Sequence, residues 1–114
     1  MYLTHMERTI IKESYIKRNF NMSEIIFTHY NYKKNELDNM KNALILPGVA
    51  HRLIMKKVDD QFIVCKQAME DLMIIRPEYY KHGLIKFDKA IYDMDTTCAN
   101  IVDIITNLFY GKRR

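Results

Sequence analysis

Glycine and proline are scarce, with three and two in 114 residues. A β-sandwich or barrel needs a turn signal roughly every 8–12 residues, so this chain lacks the material for one. Cysteine is scarce too. Cys65 and Cys98 stand 33 residues apart, with no CxxC and no Cys/His pair at zinc spacing. A disulfide framework is therefore excluded, and two lone thiols fit a reducing, cytoplasmic or host-intracellular setting. No apolar run approaches the roughly 18 residues of a transmembrane span. The opening stretch MYLTHMERTIIKESYIKR has scattered charges and no apolar h-region, so it reads as no secretory signal. Ser14 and Ser23 are the only serines, neither lies in G-x-S-x-G, and there is no glycine-rich phosphate loop.

A one-sided charge is also missing. Eighteen basic and 14 acidic side chains leave +4. Residues 1–50 carry seven basic and five acidic groups, 51–75 four and four, and 76–114 seven and five. Much of the excess falls on the tail Lys112, Arg113, Arg114. Interspersed signs describe a hydrated surface rather than the basic stripe of a nucleic-acid groove. Phe, Tyr, Met, Ile, Asn and Lys make up 56 of the 114 residues, against 16 for Gly, Ala, Arg and Pro. The first set has AT-rich codons, which suits a viral, phage, mobile-element or low-GC bacterial source.

What is present is helical periodicity. Leu84, Phe87, Ile91, Met94, Cys98, Ile101, Ile105 and Leu108 alternate spacings of three and four, an a/d seam over more than three heptads. Val102, Ile104 and Phe109 widen it. Gly111 stands where a C-cap belongs. The spacing predicts a helix over 84–110. Ile54, Val58, Cys65, Ala68, Leu72 and Ile75 predict a second over 49–75, interrupted by Gln61 and bounded by Pro47–Gly48 and Pro77. Ile26, Tyr30, Leu37, Met40 and Leu44 predict a third over 24–45, with Lys33 intruding and Ser23 as N-cap. Leu3, Met6, Ile10 and Phe20 give a weaker helix over 3–18, and 77–82 reads as a turn of helix or a plain loop before Gly83. The expected fold is all-α: one domain over 1–110, a compact bundle of about four antiparallel helices, followed by a basic tail at 111–114. The two long helices outrun the two short ones, which leaves part of the long seam for a homodimer to cover.

Catalytic and metal signals are sparse. His5, His29, His51 and His82 form no recognised ligand spacing, so no metal or cofactor is expected, and the inward Glu-x-x-His of a di-iron bundle is missing. Cys65 and Cys98 fall on apolar seams as small hydrophobes. Antiparallel helices would leave them roughly 10 Å out of register for a bridge. Arg76 and His82, separated by Pro-Glu-Tyr-Tyr-Lys, resemble the R-x(4–6)-H signature of HEPN-type ribonucleases, which are small helical bundles and often dimers. That resemblance implies assistance to 2′-hydroxyl attack at a dimer cleft. It covers these two residues alone, and Pro77 departs from the usual polar residue after the arginine.

Tyrosines lie beside cations in three clusters: Tyr30, Tyr32, Lys33, Lys34; Tyr79, Tyr80, Lys81, His82; and Tyr110, Lys112, Arg113, Arg114. Such pairs can stack on bases while neutralising phosphate. Tyrosine equally furnishes protein interfaces. Eight methionines suit an adaptable groove, and Met69 and Met73, one turn apart, are the expected exposed apolar pair. The leading expectation is a small non-enzymatic regulatory or adaptor protein that binds a protein partner through Met69, Met73, Tyr79 and Tyr80. Nucleic-acid binding through the Tyr/Lys/Arg clusters is the alternative, and the Arg76/His82 ribonuclease the second alternative. No membrane association is expected.

Overall fold

A computed structural model describes residues 3–17 and 22–107, with side chains throughout except at 97–102, 105 and 106. Four helices follow one another: α1 (His5–Lys17), α2 (Met22–Asn42), α3 (Gly48–Ile74) and α4 (Tyr80–Thr106), with a 3₁₀ turn, Pro77–Tyr79, before the last. The expected all-α bundle is what forms.

Local chemistry sets the boundaries. Thr4 and Glu7 form a capping box at the start of α1: the Glu7 N–H donates to Thr4 Oγ1 and the Thr4 N–H to Glu7 Oε1, both at 3.1 Å. α2 opens at Met22, so Ser23 sits inside its first turn instead of capping it. The helix stops at Asn42 and not near 45. Leu44 is left-handed with φ 61°. Its N–H donates to the Lys41 carbonyl at 3.0 Å and the Ile45 N–H to Met40 at 2.9 Å, a Schellman closure with leucine where glycine is usual. Leu44 is consequently exposed, off the apolar face expected for it. Pro47 precedes α3. Ile75 and Arg76 are extended, as the residue before Pro77 must be to avoid the pyrrolidine ring. The chain resumes at once in the 3₁₀ turn, so α4 starts at Tyr80 and Gly83 lies inside it.

Cross-helix contacts fix an up-down-up-down order. Tyr30 meets Asp59 and Asp38 meets His51, so α2 and α3 are antiparallel. Gln61 Nε2 donates to the Ala90 carbonyl at 3.2 Å, which gives the interrupting glutamine of the α3 seam a partner. Gly83 packs beside Leu72 and Ile75, where an added Cβ would lie 2.8 Å from Leu72 Cδ1. These pairs run α3 and α4 antiparallel along their length. Arg8 pairs with Asp88, and Tyr15 meets Tyr80, with ring centroids 4.7 Å apart, so α1 lies against the first half of α4.

The core is drawn from all four helices: Ile11; Met22, Ile26 and Leu37; Ile54, Val58, Cys65 and Leu72; Phe87, Ile91 and Met94. On α1 the buried side is Ile11, Ser14 and Tyr15, while Met6 and Ile10 are exposed, contrary to the expected face. Arg8 and Tyr15 anchor that rotation, since Arg8 pairs with Asp88 on α4 and the Tyr15 hydroxyl donates to the Ile75 carbonyl. Ile104 is exposed and does not widen the α4 seam. Burial pushes the Cys65 thiol up to about 12, which leaves it an inert hydrophobe. Phe20, Leu108, Phe109, Tyr110, Gly111 and the Cys98 side chain lie outside the described residues. No helix among the described residues is long and apolar enough to cross a membrane.

Candidate functional site

Two regions of the bundle depart from a plain apolar core with a polar surface. The first is a layer of charge inside it. His29 on α2 stands between Glu7 of α1, 2.9 Å from Nε2, and Asp95 of α4, 3.6 Å from Nδ1. Lys33, one turn on, is buried. Its Nζ is 4.0 Å from Asp95 and 3.4 Å from Glu36. The carboxylate of Glu7 is shared: one oxygen caps α1 and the other meets His29. Burial alone would push the His29 proton off, but the Asp95 and Glu7 carboxylates outweigh it, and its pKa rises above the usual histidine value. Burial likewise opposes ionisation of Glu7. The Thr4 N–H and His29 prevail, and its carboxyl sits below its usual range.

This layer can hold a proton, and it borders a shallow cavity of about 270 Å³ lined by Glu7, Thr28, His29 and Tyr32. Its charges pair with each other across three helices. The arrangement joins the short α1 to the bundle, with Arg8–Asp88 and a 3.0 Å bond from the Leu3 N–H to Asp88 beside it.

Burial of Lys33 corrects one expectation. It faces the interior and is not offered to phosphate. Tyr30 is also partly withdrawn: its hydroxyl donates to Asp59 at 2.6 Å, and that bond and burial push its pKa up to about 12. Its ring packs on Phe62 at 4.5 Å. Tyr32 and Lys34 on α2 and Lys81 on α4 remain exposed. Lys112, Arg113 and Arg114 lie outside the described residues.

Arg76 and His82 are both exposed, the first in the extended link before Pro77 and the second in the opening turn of α4. Met69 and Met73 are half-buried against the core, not the exposed pair expected of them. At 3.6 residues per turn they share the flank of α3 that carries Phe62, which meets α2 through Phe27 and Tyr30. Tyr79 is exposed. Tyr80 is half-buried, and its hydroxyl has no hydrogen-bond partner among the described residues. Burial first, then Tyr15, raises its pKa.

The second region is the open face of α3 and α4, on the flank of α3 away from α2. A groove of about 450 Å³ runs between the two helices. Ile63 and Val64 stand on its α3 wall, 64% and 48% exposed. Asp71 lies two turns further along that wall, and His82 and Lys86 project from α4 opposite it. Val49 and Leu53 extend the apolar stripe toward the start of α3, and Ile104 toward the end of α4; all three are exposed. The signal for this face was in the sequence: Val49, Leu53 and Val64 fall on a second apolar edge beside the core seam.

Among the described residues no group of three or more His, Cys, Asp or Glu side chains could hold a metal ion. No family model matches the chain, and neither the curated proteins nor the solved structures include one that resembles it.

Proposed function

We propose that this protein is a small non-enzymatic binding module, of the regulatory or adaptor kind, that acts by occupying a protein partner. The open α3–α4 face carries the proposal. Exposed apolar stripes rimmed by polar groups mark association surfaces, because a lone chain gains nothing by leaving them in water. Here the stripe lies on the two longest helices, both packed on the core beneath. A preformed helical backbone has less entropy to lose on docking than a loop. The protein partner displaces water from Ile63 and Val64 while Asp71, His82 and Lys86 set its register. Catalysis finds less support: the acid–base groups that are brought together, Glu7, His29 and Asp95, are tied to one another inside the bundle.

Crosslinking tests this reading. A photoreactive phenylalanine analogue at Val64, in the full chain and in cell extract, is expected to give a discrete protein adduct. The same group at Lys34, across the bundle, is expected to give none. Adducts of equal yield at both positions, or none at Val64, would contradict the proposal.

A further inference from the structure

We infer that the cavity between α1 and the start of α4 binds a small organic phosphate, a phosphoryl head carried on an apolar body. The cavity measures about 660 Å³. Lys81, Leu84 and Ile85 stand on its α4 wall. At roughly 100° per residue they lie on the flank of α4 opposite His82, Lys86 and Ala90, which border the α3–α4 groove. The cavity is therefore separate from the open α3–α4 face, and the inference stands apart from the reading of that face.

Charge selects the head. Arg8 and Lys12 stand one turn apart on the α1 wall, and Lys81 comes from α4. Glu78, in the 3₁₀ turn, is the single carboxylate among the described lining residues. Like charges at i, i+4 on a helix repel, and a third cation on the same cavity adds to that cost. Arg8 is paired with Asp88, whose side chain is 3% exposed and lies outside the lining. Among the described residues no carboxylate pairs with Lys12 or Lys81, whereas Lys33, Lys56 and Lys89 each have one. An anion placed between the two helices relieves the repulsion and accepts charge-assisted hydrogen bonds from both. A phosphate monoester brings nearly two negative charges and three acceptor oxygens, which suits three cations better than the two oxygens of a carboxylate.

The lining selects the body. Pro77, Leu84 and Ile85 make an apolar wall beside the cations, with Ile85 55% exposed. The volume falls within the roughly 300–1,000 Å³ of small-molecule sites. A bare inorganic anion would leave that wall in water. An aromatic ring or short alkyl chain on the phosphate covers it, and burial of apolar surface adds to the binding.

Calorimetric titration of the full chain with naphthyl phosphate, naphthol and inorganic phosphate tests the inference. Naphthyl phosphate is expected to bind. Naphthol lacks the charge and inorganic phosphate lacks the body, so each is expected to bind about tenfold or more weakly. Lys12→Gln and Lys81→Gln change exposed side chains, so each chain keeps its fold. Each is expected to weaken naphthyl phosphate about threefold or more, and the double variant about tenfold or more. Lys34→Gln, exposed on α2, is expected to leave binding unchanged. No heat of binding at millimolar naphthyl phosphate overturns the site. Equal weakening by Lys34→Gln and Lys12→Gln assigns binding to general surface charge and also overturns it. Naphthol that binds as tightly as its phosphate overturns the charged head, and inorganic phosphate that does so overturns the apolar body.

Discussion

The α1–α2–α4 layer and the outer α3–α4 face invert the usual placement of side chains. Inside, Lys33 and Asp95, with half-buried Glu7 and His29 beside them, put titratable groups where apolar ones are expected, the Lys33 and Asp95 side chains being 7% and 6% exposed. Outside, Val49, Leu53, Ile63 and Val64 leave apolar groups in water. The two inversions have different physical meanings. A buried charge is tolerable only when its partners are fixed, and here Glu7 from α1 and Asp95 from α4 converge on His29 and Lys33 of α2. The layer thus specifies which helices meet and at what height. An exposed apolar stripe has no such internal partner, so its free-energy gain is still available to another surface. One region is satisfied within the chain, and the other is left open to water.

Substitutions can break this comparison. Asp95→Ala should have the largest effect. It leaves Lys33 buried beside His29 with no carboxylate from α4, at a cost of about 3 kcal/mol, read as a lower urea midpoint with unchanged slope. Gly83→Val comes next. Its side chain must enter the space held by Leu72 and Ile75, and overpacking costs about 1–3 kcal/mol in thermal or urea unfolding. Tyr80→Phe removes a buried hydroxyl that has no hydrogen-bond partner among the described residues, and should raise stability by up to about 1 kcal/mol. Leu44→Gly relieves a left-handed leucine and should add about 0.5 kcal/mol after the entropy that glycine gives the unfolded chain. Ile63→Ser, on the outer face, should leave the stability of a single copy within about 0.5 kcal/mol. A large loss there would mean that the stripe belongs to the core.

Acidity sharpens the same contrast. The His29 pKa is raised in the folded chain, so its contribution is complete below the ordinary value of 6.5 and is lost as pH rises through the folded value. Glu7 behaves oppositely: its lowered pKa gives stability present above 4.5 and lost as pH falls through the folded value. The clasp on α1 is thus complete between those ordinary values. Unfolding measured against pH should show stability falling above that window, and His29→Gln should remove the alkaline limb. An unchanged limb in that variant would place the titrating group elsewhere.

Much of the bundle is legible in local pattern. The three-four spacing of Phe87, Ile91 and Met94 gives the α4 seam, and Pro47 and Pro77 give the limits of α3. Thr4 and Glu7, which cap α1, are not used by the apolar spacing that puts its start near residue 3. The face of α1 is not legible. Ile10 and Ile11 are equally apolar neighbours, and the choice between them is made by Arg8 reaching Asp88 some 80 residues away. Lys33 shows the same limit from the other side. Its intrusion into an apolar stripe is visible in the sequence, but its neighbour Asp95 is on a helix far along the chain. Leu44 was expected to continue α2 because its apolar character fits the spacing, whereas the backbone needs a reversal there. Met69 and Met73 looked free for want of knowing which flank of α3 meets α2. The outer face was the hardest to read, since an exposed apolar edge and a buried one share the same periodicity.

The central claim is that the inner layer holds the chain together while the outer face adds nothing to the fold of a single copy. Urea unfolding of wild type, Asp95→Ala and Val64→Asp tests both halves at once. Asp95→Ala is expected to lower stability by about 3 kcal/mol with unchanged slope, and Val64→Asp to leave it within about 0.5 kcal/mol. A Val64→Asp midpoint lowered as far as that of Asp95→Ala would contradict the account.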